Sequence, residues 1–143
     1  MKKAFSIVGL VLLLDQVLKI WIKTHMTLGQ EFNVLVSWFI IHFTENPGMA
    51  FGMQFSGDYG KLLLSVFRII AILGIIYYLY SITRKPVKTG LLVSLSLVLA
   101  GAMGNMIDSA FYGMIFSSSN YFEVARLFPA EGGYGTFLHG RVV

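Results

Sequence analysis

Three long apolar runs divide the chain, at residues 4–22, 62–80 and 90–108. At about 1.5 Å per residue a helix of such length crosses the roughly 30 Å of bilayer hydrocarbon, so each predicts a membrane span. Between the first two the pattern changes. Phe32–Val36 and Trp38–Phe43 are rich in β-branched and aromatic residues and too short to span. They predict strands of a small extracytoplasmic β-cradle over 30–56, with turn chemistry at Thr44-Glu45-Asn46-Pro47-Gly48 and again at Gly57-Asp58-Tyr59-Gly60. Beyond the third span, residues 114–140 predict an extracytoplasmic flap. Within it Tyr121–Phe128, mostly apolar with Glu123 and Arg126 at i,i+3, suits a short helix lying in the interface and stopped by Pro129.

Composition supports the membrane reading. The 143 residues are 56% hydrophobic and 13% charged, with mean hydropathy +0.73; soluble domains carry about a quarter charged residues. The length fits one domain. The net charge of +4 comes from no continuous basic face, which argues against a nucleic-acid partner. Lys2-Lys3 and Arg84-Lys85-Lys88 flank apolar runs instead, the positive-inside pattern, and place the N-terminus in the cytoplasm. The first fifteen residues resemble a secretory signal peptide, but Asp15 closes the apolar stretch, no small-residue cleavage site follows, and the run resumes to Ile22. A retained helix is expected. With no cysteine, disulfides, thiolate sites and thiol catalysis are excluded, and His25, His42 and His139 lack ligand spacing. Neither a metal nor another cofactor is expected.

The polar positions inside the spans carry the functional argument. Asp15 and Lys19 stand at i,i+4, acid first, as suits a helical ion pair. Lys19 alone could snorkel to the outer interface, but Asp15 is too short to do so. Arg68, the lone charge of the second span, lies roughly 10 Å inside the outer surface by helical rise, within snorkelling reach. The third span ends in Leu99-Ala100-Gly101-Ala102-Met103-Gly104-Asn105-Met106-Ile107-Asp108, whose small residues suit close helix packing and whose Asn105 and Asp108 share a helix face. Asp15, Lys19, Arg68 and Asp108 all fall in the outer half of the membrane, and their formal charges cancel. Such groups at membrane depth are costly unless buried together, which makes them a functional hypothesis.

Four ordered motifs resemble those of lipoprotein signal peptidase (signal peptidase II): Asp15-Gln16-x-x-Lys19, Asn46-Pro47-Gly48-Met49-Ala50-Phe51, Gly104-Asn105-x-x-Asp108 and Gly140-x-Val142-Val143. The resemblance implies an aspartic endopeptidase of the bacterial cytoplasmic membrane, monomeric, with four membrane helices, an outer β-cradle and a flap. Its implied partners are membrane lipid and a prolipoprotein, cut before its diacylglyceryl-modified cysteine by two aspartates that share a proton and activate water. In the family the first catalytic aspartate directly follows G-x-V-V and the second lies on the fourth helix. Both are therefore expected beyond Val143, and three helices of the four-helix bundle are expected here. Asp108 and Asp15 correspond to supporting aspartates, so no catalytic residue is assigned among the 143.

Support is expected from Asn46 hydrogen-bonding substrate backbone, unless it serves only as a turn-forming Asn-Pro. Gly48 and Ala50 would give the cradle close approach to the lipid-modified substrate. Asn105 would donate to substrate or dyad, Asp108 would hold two helix ends together, and Asp15 with Lys19 would tie the first helix to the site. Ser109 stands where the family often carries Arg, which suggests that Arg68 supplies the positive charge beside Asp108 from the second helix instead. Residues 111–139 suggest an enlarged flap. The rival reading is a non-enzymatic transporter or assembly subunit with the same polar cluster; a peripheral protein acting through residues 111–143 leaves that cluster unexplained.

Overall fold

The computed structural model describes residues 1–47, 49, 50, 53, 54 and 58–143. Helix α1 (Lys2–His25) leads into a hairpin of β1 (Glu31–Leu35) and β2 (Phe39–His42), then a second, two-residue pair, β3 (Met49–Ala50) and β4 (Met53–Gln54). Helices α2 (Asp58–Ile82) and α3 (Thr89–Ile107) follow, and α3 runs on through a π-helical turn (Asp108–Tyr112) into a last helical turn, α4 (Gly113–Ile115).

The three long helices are apolar enough to cross a membrane, and little of their surface is covered by protein: 28% of the most apolar window of α3 is buried, and less in the other two. Leu10, Leu13, Phe67, Leu73 and Val98 are exposed. Surfaces of this kind are stable in hydrocarbon and not in water. Helix α3 packs against both α1 and α2. One half of the bundle is closed by Ala4, Val8, Leu79, Leu92, Leu99 and Ala100, an apolar core that leaves polar groups to gather at the other end. The helices extend beyond the predicted apolar runs at both ends of α1 and α2. Hydropathy registers the hydrocarbon-facing stretch, whereas the backbone stays helical past it into flanking polar residues such as Lys2, Lys3, Lys23 and Lys61.

The cradle strands pair antiparallel, Glu31 with His42 through Leu35 with Phe39, with a register shift between Asn33 and Leu35. Gly29 N–H to Phe43 O and Phe43 N–H to Gln30 O prolong the hairpin's pairing, and Phe43 is buried against Ile22 and Met26 at the C-terminal end of α1. Gly48 and Phe51 of the predicted cradle motif lie outside the described residues, and Ala50 pairs with Met53 across β3–β4.

The interfacial helix expected at Tyr121–Phe128 does not form. The Asn120 carboxamide oxygen accepts from the backbone N–H groups of Phe122 and Glu123, turning the chain, and the following residues are irregular apart from a bridge between Phe116 and Leu127. Ser117 N–H bonds Arg126 O, Ala125 N–H bonds Lys23 O, and Phe128 N–H bonds Ile115 O. These long-range partners satisfy the backbone that a helix would have satisfied internally. Arg126 accordingly pairs with Glu131 at 2.9 Å rather than with Glu123.

Candidate active site

The site is built where α1 meets the C-terminal end of α3. Asp15, Gln16 and Lys19 project from about one turn of α1, Asn105 from the last turn of α3 and Asp108 from the start of the π-helical turn that continues it, each set sharing a face along the continuous helix. Lys19 Nζ donates to Asp108 Oδ2 at 2.8 Å and to Asn105 Oδ1 at 3.1 Å, and lies 3.1 Å from Asp15 Oδ2. Asp108 has no exposed surface. Its second oxygen accepts from Gln16 Nε2 at 3.1 Å, and Val143 N–H reaches Oδ2 at 3.2 Å. Gln16 also bonds Asp15 Oδ2 at 3.1 Å and accepts from the buried Tyr112 hydroxyl at 3.0 Å. Two carboxylates, one ammonium and two carboxamides thus share a single network.

Gly104 makes that network possible, because a Cβ there would collide with Asp15 Oδ2. Gly101 plays no such part: it is exposed, with nothing within 4 Å of a would-be Cβ. The close helix approach expected of both glycines belongs to Gly104.

The positive charge expected from Arg68 is felt at Asp108 without a close ion pair between them among the described residues. The cation against Asp108 is Lys19, whereas the Arg68 guanidinium donates to Ser109 Oγ at 2.7 Å. Helix α2 presents Arg68 beside the π-helical turn, one residue past Asp108. There it lines a narrow polar cleft with Asn46, Lys61, Ser65, Ser109 and Val142.

Asn46 reaches the site through its backbone. Asn46 N–H bonds Val142 O at 2.8 Å and Val142 N–H returns to Asn46 O at 3.0 Å, while Gly140 N–H bonds Ser109 O at 2.9 Å. The Gly140–Val143 segment is therefore laid between the cradle turn and the end of α3. Gly140 is required for this: a Cβ there would meet the Asp108 carbonyl oxygen.

A second ionic cluster, which the sequence reading missed, lies at the C-terminal end of α1. Lys23 and Glu45 form a buried ion pair, Ser119 Oγ accepts from Lys23 at 3.0 Å, and Arg141 reaches Glu45 Oε2 at 3.2 Å. Burial pushes the Glu45 carboxyl up, but its bonds and charge contacts with Lys23, Ser119 and Arg141 outweigh this and hold it below the usual carboxylate range. Lys23 follows Lys19 by four residues and so repeats its face, the one sign of the cluster legible in sequence. Gln16 and Tyr112 were likewise not singled out as site residues. Among the described residues no cluster of histidine and carboxylate side chains could hold a metal ion. A groove of about 260 Å³ between α2 and α3, lined by residues such as Ile69, Leu73 and Met103, is apolar and offers no group for chemistry.

Fold and site together define an integral membrane protein whose polar machinery is gathered at one end of a helical bundle. The family model described as Signal peptidase (SPase) II matches residues 7–129, and the chain belongs to that family. A lipoprotein signal peptidase of Porphyromonas gingivalis is 52% identical over 143 residues, covering 99% of this chain and 61% of the relative. One of Amoebophilus asiaticus is 43% identical over 126 residues, covering 84% and 53%. The chain thus spans about three-fifths or less of these relatives' length. A solved bacterial membrane enzyme, determined by the in meso method, superposes with a TM-score of 0.61 at 30% identity, covering 76% of this chain and 63% of that one. The family and this neighbour make the chain a bacterial membrane protein.

Proposed function

We propose that these residues form the supporting part of an aspartic lipoprotein signal peptidase, which cuts prolipoproteins before a diacylglyceryl-modified cysteine. The observation that carries the reading is the Gly140–Val143 segment, held against Asp108 by the Val143 N–H. In the family pattern this segment leads directly into the first catalytic aspartate. A carboxylate already engaged by Lys19, Gln16 and Val143 suits an anchor better than a proton-transfer base. Two closely placed catalytic carboxylates divide into one acid and one base, because both cannot ionise cheaply. Both are assigned to the length that the relatives have and these 143 residues do not.

In this reading Asn105 and Asn46 orient substrate backbone or the dyad, and Gly48 and Ala50 let the cradle lie close to the lipidated substrate. Asp15, Lys19 and Asp108 fix α1 to α3, and Arg68 adds positive charge at Ser109. The protein sits as a monomer in the cytoplasmic membrane with its N-terminus inside and the site at the outer face. The test is cleavage of a diacylglyceryl-modified prolipoprotein in lipid nanodiscs. A chain of the relatives' full length processes it, and residues 1–143 alone do not. Turnover by the shorter chain would overturn the placement of the dyad; inactivity of the full-length chain would overturn the peptidase reading.

A further inference from the structure

Arg141 is held more firmly than a residue in an irregular segment needs to be. Its guanidinium reaches Glu45 Oε2 at 3.2 Å and lies 5.0 Å from the centre of the Tyr134 ring. Its backbone N–H donates to the Tyr134 hydroxyl at 2.8 Å. Glu45 is fixed in turn by Lys23, whose ammonium stands over the rings of Phe43, Phe116 and Tyr134 at 5.8, 5.2 and 5.5 Å. A buried ammonium with one carboxylate and three ring faces has a single comfortable position. Four elements therefore meet at one cluster: α1 through Lys23, the cradle turn through Glu45, the flap through Ser119 and Tyr134, and the end segment through Arg141.

The sequence neighbours of this cluster are the site. Glu45 immediately precedes Asn46, and Arg141 immediately precedes Val142, and Asn46 and Val142 exchange both backbone hydrogen bonds. Fixing Glu45 against Arg141 thus sets the register of the cradle turn on the end segment. That register in turn delivers the Val143 N–H to Asp108. A slip of one residue would turn the segment's side chains to the opposite face and remove this contact.

We infer that Lys23, Glu45 and Arg141 are positioning residues: their cluster sets the register of Arg141–Val143 against Asn46 and so aligns the end segment on Asp108. The inference deepens the peptidase reading and rests on it for its purpose. Its test uses no catalysis, so failure of one is distinguishable from failure of the other.

The experiment compares the unaltered chain with R141Q, R141K and E45Q in lipid nanodiscs, by amide hydrogen exchange and by the carboxyl carbon shift of Asp108 in NMR. In R141Q the amides of Asn46, Val142 and Val143 exchange about tenfold faster, while those in the middle of α1 and α3 are unchanged. The Asp108 carboxyl signal moves as the Val143 N–H withdraws, and R141K, which keeps the charge toward Glu45, restores much of both. E45Q, which strands the Lys23 charge, loosens the same amides further. Because E45Q can fail to fold, R141Q decides the matter: Arg141 lies at the cluster's edge, its side chain about one-third exposed. Unchanged exchange at Val142 and Val143 and an unmoved Asp108 signal in folded R141Q would overturn the inference. So would faster exchange spread evenly through α1 and α3, which is the mark of a merely structural role.

Discussion

At the scale of single residues, Asp108 decides the energetics. A fully buried carboxylate at the end of a membrane helix is tolerated because Lys19, Gln16 and the Val143 amide converge on it. Removing the cation leaves that charge uncompensated, so Lys19→Met should cost about 3–5 kcal/mol, read as a lowered thermal midpoint in detergent. The two glycines of α3 give the opposite kind of contrast. Gly104→Ala drives a methyl into the Asp15 carboxylate and should destabilise by about 1–3 kcal/mol. Gly101→Ala meets nothing and gains helix propensity, so it should be neutral or stabilise by up to about 1 kcal/mol. Spacing along the chain was enough to gather Asp15, Lys19 and Asp108, since all three lie at one depth on helices. The partner of Arg68 was not legible, because it depends on how α2 is rotated against the π-helical turn.

At the scale of elements, the cradle turn and the Gly140–Val143 segment act as one unit, although almost a hundred residues separate them in sequence. Gly140→Ala should lift the segment from α3, because the added methyl would collide with the Asp108 carbonyl oxygen. The expected sign is fast exchange of the Val142 and Val143 amides with α1 and α2 still protected. The Glu45 contribution carries a pH signature. Folding holds this carboxyl below its ordinary value, so its stabilisation is fully present above the ordinary carboxylate range and is lost as pH falls through the lowered value. Protection of the Asn46 and Val142 amides should therefore be flat from neutral pH to about pH 5 and decline only below about pH 4. The segment Tyr121–Phe128 shows why local pattern fails at this scale. Its i,i+3 charges and apolar positions fit a helix, yet backbone bonds to Ser117, Lys23 and Ile115 outcompete one.

At the scale of the whole molecule, the charges flanking the three helices predict a topology. With no native cysteine, single introduced cysteines report sidedness without background. Cysteine at Lys85 should react with an impermeant maleimide only after the inner face is opened. Cysteine at Phe122, where the side chain is almost fully exposed, should react in intact spheroplasts. The reverse pattern would invert the orientation drawn from Lys2-Lys3 and Arg84-Lys85-Lys88.

The sequence alone determined the three spans, the cradle hairpin, the depth at which the charges collect and the family the motifs resemble. These follow from periodicity, hydropathy and residue order, which are local or nearly local properties. Only the tertiary structure decided which cation holds Asp108, which glycine admits α1, that Tyr121–Phe128 forms no helix, and that Lys23, Glu45 and Arg141 meet. Those outcomes depend on helix rotation and on contacts between residues far apart in the chain, where geometry in space rather than spacing along the sequence sets the energy.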